Sequence, residues 1–206
     1  MSYLYNLLQK FFAFLLNTTD KYVGNFGVSI IIVTILIKIA LLPLTLKQDK
    51  SMKEMKKLQP ELEKIKQKYA NDKQMLNIKT MDLYREHKVN PLGGCLPILV
   101  QLPILIALFG VLRNGIIPPD SSFLWLKLSD KDPFYILPVL NGAVSFFQQK
   151  LMGSADSNPQ MKNMMYIFPI MMIMISYKMP SGLQLYWLTS SILAVVQQYF
   201  IMKKGA

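Results

Sequence analysis

Apolar and polar residues divide the chain into five long apolar stretches and one strongly charged stretch. A helix needs about 20 mostly apolar residues to cross the hydrocarbon core of a bilayer, so each apolar stretch predicts a transmembrane helix. The fourth stretch is short for a span. The sequence therefore predicts an all-α membrane protein with five transmembrane helices, the second to fifth of which lie in residues 91–206 with a short cytoplasmic tail. The five stretches cover about residues 25–46, 93–113, 133–152, 163–179 and 182–202.

The first 24 residues have a different pattern, in which apolar side chains recur at helical spacing opposite a polar face. This pattern predicts an amphipathic helix over about residues 2–17 that lies in the membrane interface. A short buried helix of a soluble fold has the same pattern and stays open as an alternative. The apolar face contains Leu4, Leu7, Leu8, Phe11, Phe14 and Leu15, and the polar face contains Asn6, Gln9, Lys10 and Asn17.

Residues 47–90 hold twelve Lys or Arg and seven Asp or Glu, a net charge of +5 (12 − 7). An apolar stripe with steps of three and four is interrupted at Asn71-Asp72 and then resumes. We interpret this stretch as a hairpin of two antiparallel helices outside the bilayer. A solvated linker without a binding role is the alternative. The stripe consists of Met55, Leu58, Leu62, Ile65, Tyr69, Leu76, Leu83 and His87.

The distribution of basic residues predicts the orientation, since cytoplasmic loops are enriched in Lys and Arg. If the charged hairpin is cytoplasmic, that side of the membrane carries 16 basic residues and the other side six, with Lys38 in the membrane. The N-terminus is then outside and the C-terminus is in the cytoplasm. The predicted location is the bacterial cytoplasmic membrane, as a multi-pass protein.

Lys38 is the one charged residue within the twenty-residue apolar stretch 27–46. A charge near the bilayer centre costs at least about 2.5–3.5 kcal/mol on insertion scales unless protein or water solvates it. Its stem reaches only about 6 Å toward the interface, so snorkelling would need local thinning of the bilayer. We therefore favour a fixed positive charge in a water-filled groove and keep snorkelling as the alternative.

Neutral polar residues accompany Lys38 in the apolar stretches. Buried amides and hydroxyls are costly unless they are paired or hydrated, so these residues predict either hydrogen bonds between helices or a hydrated cavity. Together with Lys38 they favour the cavity. They are Thr34, Gln101, Asn141, Ser145, Gln148, Gln149, Thr189, Ser190, Ser191, Gln197 and Gln198.

The composition limits the chemistry. A single cysteine, Cys95, and a single histidine, His87, exclude an internal disulfide framework and make a metal site improbable. No metalloprotease, nucleophile-elbow or phosphate-loop motif is present, and no acid lies within an apolar stretch. We expect no enzymatic activity, no metal and no cofactor. The net charge of +11 instead indicates anionic lipid, nucleic acid or an acidic client as a partner, without specific recognition of a nucleic-acid sequence.

Five motifs, in order along residues 28–202, resemble those of the YidC/Oxa/Alb family of membrane protein insertases. The resemblance is specific because the motifs combine Pro, Gly and Gln at fixed places in apolar segments. The motifs are PLTLKQ at 43–48, NPLGGCLP at 90–97 continuing to QLPI at 101–104, DPFYILP at 132–138, PSGLQLYW at 180–187, and the pair Gln197-Gln198.

The resemblance implies a minimal five-helix core with a hydrophilic groove that opens to the cytoplasm and to lipid and is closed toward the outside. It also implies a cytoplasmic helical hairpin, an outer interfacial helix, and no large periplasmic domain. Members insert and fold nascent membrane proteins, alone or with the Sec translocon, and do not hydrolyse ATP. The implied partners are nascent membrane proteins, the ribosome, the Sec translocon and anionic membrane lipids.

The resemblance also implies site residues. Thr34, Gln149 and Trp187 match groove positions that meet the client or line the cavity. Lys38 stands where bacterial members usually carry Arg, and Ser191 where the family often has Asn. Gln101 is added as a polar group of the second span, which gives a predicted groove of Lys38, Thr34, Gln149, Trp187, Gln101 and Ser191.

Two other function classes stay open at this point. Lys38 could serve as the counter-charge in a transporter of small anions or lipid head groups. The chain could also be a structural assembly factor for other membrane complexes. Anion flux into vesicles would distinguish the transporter from an insertase.

Overall fold

The computed structural model describes residues 2–87, 89, 96–115, 117–151 and 159–203. Within these ranges the protein is helical, apart from one short β-hairpin. Residues 90–95 of the second family motif, residues 152–158 and the last three residues lie outside the described residues. The elements are α1 (Ser2–Val23), α2 (Phe26–Lys57), α3 (Gln59–Lys68), α4 (Lys73–Glu86), α5 (Leu96–Arg113), β1 (Ser122–Phe123), β2 (Leu126–Lys127), α6 (Ile136–Leu151), α7 (Pro159–Ser176) and α8 (Ser181–Lys203).

Helix α2 is longer than the span that the sequence predicts. It has 32 residues and continues through Pro43 to Lys57, so the expected boundary between span and hairpin at residues 46–47 lies within one continuous helix. A proline removes one backbone hydrogen bond without ending a helix when the turns on both sides are held by other contacts. The first span and the charged segment are therefore joined rigidly.

One helix among the described residues is long and apolar enough to cross a membrane by itself: Phe26–Gln48, with a mean hydropathy of 2.5. Only 28% of an 18-residue window within this stretch is buried in the protein, unlike the central helix of a soluble core. Val100–Arg113 and Met165–Ser176 are apolar but shorter. Length and hydropathy thus identify one transmembrane helix among the described residues and do not by themselves give the predicted number of five.

The outer surface of the bundle is apolar. Large hydrophobic side chains on α1, α2, α5, α6, α7 and α8 are more than half exposed, far beyond what a soluble monomer presents. A hydrocarbon environment satisfies such a surface without cost. Examples are Phe14 on α1, Ile39 on α2, Ile106 on α5, Val139 and Phe147 on α6, Ile167, Ile170 and Met174 on α7, and Tyr199 and Phe200 on α8.

The main core joins α1, α2, α5 and α8. Helix α1 is longer than the expected 2–17, and it packs closely on α5, because a Cβ at Gly110 would meet the Gln9 amide. Its other face, with Leu7, Phe11 and Phe14, is exposed. The core contains Phe12, Leu16, Ile30, Val33, Ala107, Leu108, Val111, Leu112, Ile117, Leu128, Leu183, Leu185 and Tyr186.

One end of the bundle, called here the loop end, is where α5 ends and α2, α6 and α8 begin. The loop 114–135 crosses it and contains the antiparallel pair β1–β2. Asn25 accepts hydrogen bonds from the amides of Gly27 and Val28, and its side chain donates to Ser122 O at 3.2 Å. The loop is attached to α8 through Gly182 N, which donates to Leu128 O at 2.9 Å.

The opposite end, called here the hairpin end, consists of α3 and α4. The first hairpin helix is separated from α2 at Leu58, and Pro60 lies in the first turn of α3, a position that proline favours. Asp72 caps α4 by accepting from the amides of Gln74 and Met75. The packing is small: Leu58, Leu83 and Val89 are buried, with Leu62, Ile65 and Tyr84 beside them. Burial raises the pKa of the Tyr84 phenol.

Candidate functional site

Helices α2 and α8 run parallel in a fixed register. Near the hairpin end, Gln197 Nε2 donates to Thr45 Oγ1 at 3.0 Å, a separation of 152 positions. Near the loop end, a Cβ at Gly182 would lie 3.5 Å from Ile30 Cδ1, and these two residues are also separated by 152 positions. The register therefore places Lys38 level with Ser190 and Thr34 level with Tyr186.

The neighbouring helices join this layer. On α6, Asn141 Nδ2 donates to Gln184 O at 3.3 Å, an offset of 43 positions that places Gln149 level with residue 192 of α8. On α5, Gln101 Nε2 donates to the Tyr186 hydroxyl at 2.6 Å. When each position is given by the α8 residue at the same level, the six predicted groove residues lie between residues 186 and 192. This range covers about 9 Å along the helix axis. We call this zone the polar layer.

Lys38 is half-buried on α2, one turn after Thr34. Among the described residues no carboxylate forms an ion pair with it. The one ion pair found in the described ranges, Lys79–Asp82 at 3.4 Å, belongs to the hairpin. An ammonium that protein does not neutralise must be solvated by water or by an anionic partner. This is the electrostatic feature of the polar layer.

The other predicted residues differ in accessibility. Thr34 is 1% exposed and its hydroxyl donates to Ile30 O at 2.6 Å, so it lies inside the α2–α8 packing. Ser191 is also buried, at 8%. Gln101, Gln149 and Trp187 are half-buried, like Lys38. The structure brings all six to one depth, and four of them retain accessible surface.

Two polar contacts of the layer were not singled out from the sequence. Tyr186 is 3% exposed, and its hydroxyl accepts a hydrogen bond from the Gln101 amide. Ser190, on the next turn of α8, is hydrogen-bonded to the same hydroxyl. Thr45 and Gln197 connect α2 with α8 nearer the hairpin. The signal for Tyr186 was its place within the motif at 180–187. Thr45 and Gln197 also lie in family motifs, at 43–48 and 197–198, but their pairing depends on the register between the two helices and could not be predicted.

The surroundings of the polar layer differ toward the two ends of the bundle. Between the layer and the loop end lie the buried side chains of the main core, from α1, α2, α5 and α8. Toward the hairpin end, by contrast, α2 presents exposed or half-exposed residues from Ile39 to Lys47.

Comparison with known proteins gives the family. The family model described as "60Kd inner membrane protein" matches residues 18–206. The chain belongs to this family. The insertase family expected from the motifs is confirmed, and the protein is an inner membrane protein.

Individual relatives agree. The chain is 87% identical over 206 residues, all of both proteins, to "Membrane protein insertase YidC" of Fusobacterium nucleatum subsp. nucleatum. It is 46% identical over 183 residues to "Membrane protein insertase MisCA" of Bacillus subtilis, covering 86% of this chain and 70% of that one. The insertase of Anaeromyxobacter sp. (strain Fw109-5) is 43% identical over 192 residues, and this chain spans 35% of its length.

The fold agrees as well. A crystal structure described as "Active YidC insertase crystal structure with the first transmembrane domain resolved" matches with a TM-score of 0.76 and 29% identity. The match covers 97% of this chain and 46% of the other. The all-α fold class is therefore confirmed, and none of these names indicates a catalytic activity.

Proposed function

We propose that this chain inserts and folds nascent membrane proteins, its clients, through the polar layer around Lys38. The insertase function is supported by the full-length relationship with the Fusobacterium protein. The single observation that carries the mechanism is an ammonium at half-depth in an apolar bundle, without a carboxylate partner in the described residues. In this mechanism the protein supplies binding and solvation and has no catalytic residue.

The layer would act as a half-channel. Lys38 attracts acidic groups of a client's outer tail, and the half-buried Gln101, Gln149 and Trp187 offer amides and an indole to the passing chain. Thr34 and Ser191 would meet the client only if α2 and α8 part, because both are buried. The tail then crosses about half of the membrane without leaving polar surroundings.

The orientation that suits this mechanism has the loop end outside and the hairpin end in the cytoplasm, with five spans and the C-terminus inside. The basic-residue count supports it. The core beneath the loop end would seal the outside, and the exposed side of α2 below Lys38 would open to the cytoplasm and to lipid. Helix α1 would lie in the outer interface on its exposed apolar face.

Helix α7 would ease the lateral exit of the client. Its 18 residues span about 27 Å, less than the 30 Å hydrocarbon core. A short helix thins the bilayer beside it, and thinning lowers the cost of moving a polar tail across. The client's hydrophobic helix would pass into lipid along this side of the bundle.

The charged hairpin would serve as the docking element for the ribosome, the Sec translocon or anionic lipid head groups. Its positive charge supports this role, since basic segments beside a membrane bind anionic lipid and nucleic acid. Unchanged insertion after deletion of residues 59–86 would show that it is only a linker. The transporter alternative gains no support from the relatives, and a flux assay with a small anion tests it directly.

The experiment is insertion of a single-spanning client into proteoliposomes. With an acidic tail on the client, Lys38→Ala should slow insertion about tenfold or more, the value of a charge-assisted contact, whereas Lys38→Arg should retain it. Lys47→Ala, an exposed lysine of the same helix, is the matched control and should insert at the parent rate.

A second client with a neutral tail separates charge from structure. Lys38→Ala should insert it nearly as fast as the parent does, because no attraction is lost. Full activity of Lys38→Ala on the acidic client would overturn the mechanism, and equal loss on both clients would assign Lys38 to the structure of the bundle.

A further inference from the structure

Two exposed tyrosines at the loop end are stacked on each other. The rings of Tyr135 and Tyr177 lie 5.1 Å apart at an interplanar angle of 19°, and each residue is 47% exposed. Exposed stacking contributes little to a core, yet the protein holds Tyr135 with a positive φ of 56°. A bulky residue in this conformation is strained, and such strain is typical of functional positions.

A buried carboxylate maintains the strained turn. Asp132 is 1% exposed and accepts from the amides of Phe134 at 3.1 Å and Leu137 at 2.7 Å. It also accepts from Trp125 Nε1 at 3.1 Å. The turn is therefore fixed on both sides of Tyr135, and its ring is presented on a rigid support.

Two lysines lie close to the stacked pair, one by contact and one by sequence. Lys131 Nζ lies 5.8 Å from the centre of the Tyr177 ring, on its face. Lys178 follows Tyr177 directly and is exposed. Two carboxylates are close in sequence. Asp130 is exposed, whereas Asp132 is buried and already accepts hydrogen bonds from three donors. The accessible charge beside the rings is thus mainly positive.

An apolar trough begins at the same place. It is lined by residues 171 and 173–175 of α7 together with Tyr177, Lys178 and Met179, and its volume is about 710 Å³. This is within the usual range of about 300–1,000 Å³ for ligand sites. Its apolar walls continue the exposed surface of α7, and its polar end carries the rings and Lys178.

We propose that Tyr135, Tyr177, Lys131 and Lys178 bind the head group of an anionic phospholipid whose acyl chain occupies the trough along α7. The phosphate faces the ammonium groups, and the phenols lie at the interface, where amphipathic rings are favoured. This inference rests on the proposed orientation, in which the loop end meets the outer leaflet. The site is separate from Lys38 and the polar layer.

Fluorescence quenching of Trp125 tests the proposal, because its indole bonds the residue next to Lys131. In a Trp187→Phe background Trp125 is the one remaining tryptophan. The protein is reconstituted in vesicles that contain phosphatidylglycerol or phosphatidylcholine with brominated acyl chains. Stronger quenching by the anionic lipid gives its relative binding constant at this site.

We expect a preference for phosphatidylglycerol that falls about fivefold for each lysine removed in Lys131→Gln and Lys178→Gln. Lys21→Gln, an exposed lysine on α1, is the matched control and should keep the preference. An unchanged preference in the double variant, or no preference in the parent, would overturn the proposal.

Tyr135→Gly distinguishes a binding role from a structural one, since glycine adopts the positive φ without strain. It should abolish the lipid preference while thermal stability in neutral detergent stays the same or rises. Lower stability with an intact preference would show that the stacked pair is structural. The readout does not involve client insertion, so either result leaves the Lys38 experiment independent.

Discussion

The two ends of the bundle are built differently. At the loop end, the segment 121–132 is hydrogen-bonded to the beginnings of α2, α6 and α8 through Asn25, Asp132 and Ser181, and it continues into the main core. At the hairpin end, α3 and α4 pack mainly on each other around three buried residues. The loop end is therefore tied to three helices of the bundle, whereas the hairpin end has a small packing cluster of its own.

In the proposed mechanism, this difference between the two ends would maintain the half-channel. A polar layer can stay open on one side only if the other side resists opening, and hydrogen bonds buried among apolar side chains provide this resistance. The hairpin can then move or bind partners without disturbing the seal. Three substitutions test this contrast, ordered by their expected effect on the stability of the bundle.

Asp132→Ala should have the largest effect. It leaves three donors without an acceptor, two of them backbone amides, at about 1–3 kcal/mol for each donor that stays buried. The melting temperature in detergent should fall clearly. Asp120→Ala, an exposed carboxylate of the same loop, is the control and should melt like the parent. A similar melting temperature for both variants would contradict a loop end that is tied to the bundle.

Gly27→Ala should have an intermediate effect. The added Cβ would collide with Cβ and Cγ of Phe123, so β1 must move away from α2, at about 1–3 kcal/mol. Thermal unfolding of a double-mutant cycle with Phe123→Gly measures the contact, since the collision disappears when the whole Phe123 side chain, including its Cβ, is removed. Equal costs of Gly27→Ala in both backgrounds would show that the loop does not press on the helix.

Leu83→Ala should have the smallest effect on the bundle. It removes the centre of the hairpin cluster and costs about 2–5 kcal/mol locally. Hydrogen exchange should accelerate in α3 and α4 while the melting temperature of the bundle stays unchanged. Met81→Ala, exposed on α4, serves as the control. A lower melting temperature of the whole bundle would mean that the two ends are coupled.

Much of the site could be predicted because its chemistry is local. Lys38 stands out in any reading of residues 27–46, since a charge is costly in an apolar helix whatever surrounds it. Gln101 and Gln149 stand out because an amide in an apolar stretch is also costly unless it is paired or hydrated. The contacts of Tyr186, Ser190 and Thr45 could not be predicted, because each depends on the register between helices that are distant in the sequence.

Element boundaries show the same limit. The break at Leu58 follows from Pro60 once the helix is known, but the continuity of α2 through Pro43 contradicts the simplest expectation for a proline. Thr34 is the opposite case. Its spacing from Lys38 suggests a shared polar face, yet packing against α8 buries its side chain and turns its hydroxyl to Ile30 O.

The sequence by itself determined the helical class, the cationic centre and the family, because hydrophobic patterning, the cost of a charge in hydrocarbon and local motifs are all written in consecutive residues. Only the tertiary structure decided that the polar residues share one depth, that the loop 114–135 is hydrogen-bonded to three helices, and that the rings of Tyr135 and Tyr177 stack on each other. These features depend on the register and packing of helices, which arise from many weak contacts between segments far apart in the chain.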